Sequence, residues 1–220
     1  MPDPVREIVG TNIVLLGSFN PSIFQPAWFA REGLLPAGEA DNAELGVIHP
    51  EFVSFSAGWL ELQVTQSQFV ARTAQDPLEA LRDLVVGAFT LLRFTPVTKM
   101  GINRDVHIRM QDETSWHAVG HTLVPPSNWP FLSRPGLRTL TVEGMRPDEH
   151  GGYVRIKVEP SNLVQPGVYI QVNDHFHWDV ATGESALEEA LAVLKNEWME
   201  SIDRADMFTD EVVKAGGIAG

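Results

Sequence analysis

The sequence predicts an α+β protein that is internally duplicated: two β-α-β(3-4)-α units form one curved antiparallel sheet, with two long helices on one face. Three observations predict it. Several short segments alternate apolar and polar residues with a period of two, which marks strands with one buried and one wet face. Two stretches carry apolar residues at helical spacing. The order strand, short helix, strands, long helix occurs twice. A chain of 220 residues, 44% hydrophobic and 20% charged, has enough apolar surface for a shared core.

In chain order, Asn12 to Leu16 is a β-branched, apolar run ending at Gly17, and reads as a buried strand. A short helix starts at Pro26, whose missing N–H costs nothing at the first helical position, and stops before Pro36. Residues 37–50 are acidic and irregular and read as a loop. Strand signals run from Phe52 to Thr73, with Leu60, Leu62 and Val64 on one side and Glu61 and Gln63 on the other. The first long helix has Asp76 as N-cap, Pro77 behind it and Glu79 as capping-box partner. Its apolar stripe is Leu78, Leu81, Val85, Ala88 and Leu92, and it ends near Arg93.

The second unit opens with a strand over Arg104 to Met110. Val106, Ile108 and Met110 point one way, Asp105, His107 and Arg109 the other. A short helix spans Asp112 to Val124 and stops at Pro125-Pro126. Three further strands centre on Leu140 and Val142, on Val154, Ile156 and Val158, and on Val168, Ile170 and Val172. The last helix opens on a Ser185–Glu188 capping box and buries Leu187, Leu191, Leu194, Trp198 and Ile202. The segment after Phe208 reads as a frayed tail.

Two local matches fall in the same order relative to the strands. The run Trp28 to Pro36 resembles Trp116 to Pro125, and Leu78-Glu-Ala-Leu81 resembles Leu187-Glu-Glu-Ala-Leu191. They divide the chain into a first repeat over 1–96, a second over 97–208 sharing one core, and a flexible tail over 209–220. This element order resembles the TATA-binding-protein-like fold, which pairs two halves into one curved sheet with the long helices on its convex side. The segment Met100-Gly-Ile-Asn-Arg-Asp-Val-His107, followed by Trp116-His117, resembles a family of uncharacterised bacterial proteins of about this length. Neither resemblance implies catalytic residues.

Charge narrows the function classes. The net charge of −13 is uneven: residues 1–96 carry 5 basic and 11 acidic side chains, 97–160 carry 8 and 7, and 161–220 carry 3 and 11. An acidic whole repels phosphate backbones, which disfavours a general nucleic-acid binder, but half of the basic residues sit in the middle third. The absence of cysteine excludes disulfides and thiolate chemistry. No apolar run approaches membrane-spanning length, and the N-terminal residues lack a signal pattern, so a cytoplasmic protein without a membrane partner is expected.

Three groups of residues are candidate sites. The first is the wet sheet face of the second unit, where Arg109, Arg138, Arg155 and Lys157 stand beside Tyr153, Tyr169, Gln171, Asn173 and His107. Cations interleaved with aromatics suit nucleic-acid bases or an acidic partner, although cross-strand pairing with Glu143, Asp105 and Glu159 makes the same set an ordinary solvated face. The second is a metal set: His117 and His121, four apart on a helix, with His175 and His177 near Asp174 and Asp179. No His-Glu-x-x-His motif accompanies it, and no nucleophile elbow or phosphate loop occurs elsewhere. The third is Asn103-Arg104-Asp105 with His107, a ligand-binding cluster or a loop clamp. Phe24, Trp28, Phe29 and Trp116 read as core. No cofactor is expected. The leading expectation is a non-enzymatic module that holds a protein partner, with a homodimer compatible. Nucleic-acid binding through the basic face and a metal-dependent hydrolase are the alternatives.

Overall fold

The computed structural model describes residues 5–179, 181 and 185–218. A strand's side chains alternate between faces, so a sheet with helices on one side only must place its apolar set on that side. Among the described residues nine strands form one open sheet, and the buried residues of the inner strands follow this rule. The first five are β1 (Arg6–Gly17), β2 (Glu44–His49), β3 (Phe52–Ala57), β4 (Leu60–Thr65) and β5 (Gln68–Thr73). The other four are β6 (Val97–Arg109), β7 (Leu140–Met145), β8 (Gly152–Pro160) and β9 (Gly167–His177). Their order is β2-β3-β4-β5-β1-β6-β9-β8-β7, and every neighbouring pair is antiparallel. The long strands β1 and β6 lie at the centre, paired from Arg6↔Ile108 to Gly17↔Val97 through Asn12↔Asn103.

The helices are α1 (Pro26–Arg31), α2 (Ala37–Asp41), α3 (Glu79–Leu91), α4 (Glu113–Leu123), α5 (Leu187–Asn196) and α6 (Trp198–Ala215). Ile13, Leu15, Met100 and Ile102 pack against Phe24 and Phe29 near α1, Leu81, Val85 and Phe89 of α3, and Leu187, Leu194 and Trp198 of α5 and α6. Val106, Ile108, Val158 and Ile170 pack against Val119 of α4 and Val213 of α6. The buried residues of α3, α4, α5 and α6 thus share one face of the sheet. The sequence places Phe24, Phe29, Trp28 and Trp116 in the core; the two phenylalanines are buried and the two tryptophans partly so.

Several elements differ from expectation. The acidic stretch 37–50 holds α2 and β2, not a loop; β2 is an edge strand with every residue exposed, so no buried face leaves a period in its sequence. Helix α3 begins at Glu79, because the carbonyls of Pro77 and Leu78 accept from Ala80 and Leu81 where an Asp76 cap was expected. The last helix is two helices. Glu197 leaves helical geometry at φ −124° and ψ 8°, although the apolar stripe from Leu187 to Ile202 is buried on both sides of the break. Ser185 is not its N-cap. Its hydroxyl accepts from Val97 and Leu187 and donates to the Thr95 carbonyl, which ties α5 to the start of β6. The expected tail over 209–220 is helical to Ala215, with Val213 and Ile218 buried.

Ion pairs fix the helix layer to the sheet. Arg104 of β6 reaches Asp206 of α6 at 3.2 Å and Thr11 of β1 at 2.8 Å, and Arg6 reaches the same Asp206 at 3.1 Å. A second cluster surrounds Asp174 of β9, which is 1% exposed. Its carboxylate accepts from Arg146, from Ser201 at 2.7 Å and from Arg204 at 3.1 Å. Arg146 also pairs with Asp148 and lies 3.6 Å over the Phe176 ring. Burial opposes ionisation of Asp148, but bonds and charge from Arg146 and Arg204 prevail and hold its carboxyl below the usual range. Removing one partner of a buried pair leaves the other uncompensated. Asp174→Asn is therefore expected to lower stability by about 3–5 kcal/mol, measured by urea unfolding at neutral pH.

Candidate binding face

Among the described residues no helix packs on the face opposite the helix layer, and the strand registers line up its polar residues. One row crosses seven strands: Glu61, Arg72, Asn12, Asn103, Asn173, Arg155 and Glu143, on β4, β5, β1, β6, β9, β8 and β7. The next row holds Gly10, Asp105, Gln171 and Lys157, and the one after it Ile8, His107, Tyr169 and Glu159.

The centre of this face is a closed hydrogen-bond network. Asn173 donates to Asn103, and Asn103 donates to Asn12 at 2.7 Å. Asp105 accepts from Asn12 at 3.0 Å, from Tyr169 at 2.7 Å and from Gln171 at 2.8 Å. Burial, then the adjacent Asp105 charge, pushes the Tyr169 phenol far above its usual range, so it remains a donor. Asp105 and His107 were expected on a wet face, and Asn103 and Arg104 with them in a ligand-binding cluster or loop clamp; Asn103, Asp105 and His107 are each at most 6% exposed, and Arg104 lies on the other face with Asp206.

His107 and Ser161 form a second unit. Ser161 Oγ accepts from the Leu163 and Val164 amides and lies 2.8 Å from His107 Nδ1. Both hydroxyl lone pairs are taken, so its proton goes to Nδ1 and the neutral ring carries its own proton on Nε2. Burial lowers the His107 pKa and favours this neutral form. The arrangement is not a nucleophilic triad: Ser161 is buried, and Asp105 is bonded to Tyr169 rather than to the imidazole.

The expected basic residues lie on or beside this face, but most are paired. Arg155 meets Glu143 at 2.7 Å and stacks on Tyr153, Lys157 meets Glu159 at 2.9 Å, and Arg109 binds Glu7 bidentately. That bond to Arg109 holds the Glu7 carboxyl below its usual range. Arg138 is exposed just before β7, near enough to Glu159 to favour its ionised form.

The expected metal set does not assemble. His117 and His121 are exposed on α4, in the helix layer, with rings 6.3 Å apart. His175 and His177 are on the open face, at the far end of β9 from the Val168 that α4 approaches. Asp174 points the other way, into its arginines. Among the described residues, no three His, Asp or Glu side chains gather to hold a metal ion. The spacing was right for local pairs, but opposite faces of the sheet separate them.

Sequence reasoning missed Arg72, Asn12 and Ser161. Arg72 packs flat over Gly10, where a Cβ would stand 3.1 Å from its Nη2, so glycine is what lets the guanidinium lie there. Among the described residues its Nε–H is shut off from solvent without a partner, and its ion pair to Glu61 is 3.8 Å long. The sequence also gave no sign of the exposed Trp129, Phe131 and Leu132 in the connection between α4 and β7, beyond the prolines around them. No protein-family model and no curated protein matches this chain. No helix is long and apolar enough to cross a membrane among the described residues.

His175 supplies a pH test of this face. Burial first, then Lys99 and His177, lower its pKa to about 4, and its ring stacks 4.4 Å from Tyr153. The native ring therefore stays neutral where the unfolded one, with an ordinary pKa near 6.5, takes up a proton. Its contribution to stability is full above about pH 6.5 and is lost as pH falls towards 4. An NMR titration of the His175 ring is expected to show a midpoint near 4; a midpoint near 6.5 would mean that the ring is solvated.

Proposed function

We propose that the protein is a non-enzymatic interaction module that holds a protein partner on its open sheet face and edges. The observation that carries this reading is the one-sided helix layer, which leaves the polar, aromatic face free. Both edge strands are exposed as well: Leu45, Val47 and Ile48 on β2, and Val142 and Met145 on β7, are at least 43% exposed. An unpaired edge is a ready template for another strand. The apolar Trp129–Phe131–Leu132 segment adds a surface of the kind that marks protein contacts.

Pairing of Arg109, Arg155 and Lys157 with carboxylates favours a protein over a nucleic acid, since those cations are already neutralised locally. We further read the two halves as copies of one unit, in the manner of the TATA-binding-protein-like fold. The support is the strand order, in which β5-β1 and β6-β9 flank the centre alike. This reading extends to a second copy of the chain as the partner.

Photo-crosslinking in the native host tests the proposal. A photoreactive residue in place of Lys157 or Val142 is expected to give a discrete protein adduct, and one in place of Glu188, exposed on α5, is expected to give none. Equal adducts from all three positions, or an adduct that nuclease removes, would contradict it.

A further inference from the structure

One part of the open face is concave. A pocket of about 400 Å³ lies between Arg72, Asp105, His107 and Tyr169 on the strands and the Pro160–Leu163 turn that follows β8. Its two carboxylates are partnered. Asp105 takes three hydrogen bonds, and Glu159 takes one from Thr139 at 2.9 Å and pairs with Lys157. Among the described residues, His107 Nε2–H has no partner, because the Ser161 bond uses the other nitrogen. Among the described residues the Arg72 guanidinium has a 3.8 Å ion pair and no hydrogen bond, whereas Arg155 and Arg109 are hydrogen-bonded to carboxylates. A cationic fork and a ring N–H that face one pocket without a hydrogen-bond acceptor suit an anionic ligand.

We propose that this pocket binds a carboxylate, held by the Arg72 guanidinium and the His107 Nε2–H. A guanidinium fork matches a planar carboxylate and gains a charge-assisted bond. A dianion is disfavoured, because Asp105 and Glu159 line the same pocket beside a single weakly paired arginine. The ring of Tyr169 and the side chains of Leu163 and Pro160 give the rest of the acid an apolar wall. The carboxylate is that of a small free acid or of a peptide C-terminus. The site goes beyond the protein-docking reading and does not depend on it.

The test is a fluorine NMR titration of the whole chain with 4-fluorobenzoate, a monocarboxylate with a flat apolar body. Saturable binding is expected, with a shift of the His107 ring resonances. Arg72→Gln is expected to weaken it about tenfold or more, Arg72→Lys less, and Arg109→Gln not at all. Arg72 is half-exposed and weakly paired, so its variants are expected to fold, and a thermal melt checks this. Displacement by acetyl-dialanine with a free C-terminus, but not by its amide, assigns the site to a chain terminus. Displacement by unlabelled benzoate alone assigns it to a free acid. Absence of binding, binding unchanged in Arg72→Gln, or displacement by inorganic phosphate at equal concentration overturns the proposal.

Discussion

Everything in this structure depends on the antiparallel pairing of β1 with β6. The two strands run side by side from Arg6↔Ile108 to Gly17↔Val97, and each carries a complete half of the sheet on its outer side. Alternation then sorts their residues. Ile13, Leu15, Met100, Ile102, Val106 and Ile108 go to the helices, and Asn12, Asn103, Asp105 and His107 go to the open face. A shift of one residue in this register would put asparagines into the apolar core and isoleucines into water. The same pairing sets Asn12 beside Asn103, from which the hydrogen-bond network spreads to both halves.

The central polar groups are nearly as buried as a core, so their satisfaction is a structural matter as well as a functional one. A carboxylate deprived of water is tolerable only with donors around it, and Asp105 has three. The Asp174 cluster solves the same problem on the helix side with two arginines and a serine. Arg72 breaks the pattern. A guanidinium lying on a glycine, with an idle Nε–H, is a local inconsistency in a face that otherwise satisfies itself, and such places are where function tends to sit.

Much of the fold was legible because a half-buried strand writes its two faces into the sequence. Leu60-Glu-Leu-Gln-Val64 and Val168 to Val172 show the period, and both strands are found. Where no face is buried the period vanishes, and β2 was therefore missed. The break at Glu197 was invisible because the apolar stripe continues through it, and the end of α6 was missed because Val213 and Ile218 are widely spaced in a polar segment. The candidate site was legible only in part. Tyr169, Gln171, Asp105 and His107 lie in the second half of the sequence, on strands whose two faces the period gives. Arg72 and Asn12 lie in the first half and meet them only through the register of β5, β1 and β6. The histidine pairs failed for the complementary reason: spacing along a strand or helix says nothing about which layer the element joins.

The central claim is that one continuous sheet, closed at its middle by β1 and β6, presents a single open face. Amide hydrogen exchange measures this most directly. If the account is right, the amides of Ile13, Ile102 and Asn103 are among the slowest in the protein and open only with global unfolding. Faster exchange along β1 and β6 than in the β4–β5 and β8–β9 pairs would mean that the halves part at their seam, and would contradict it.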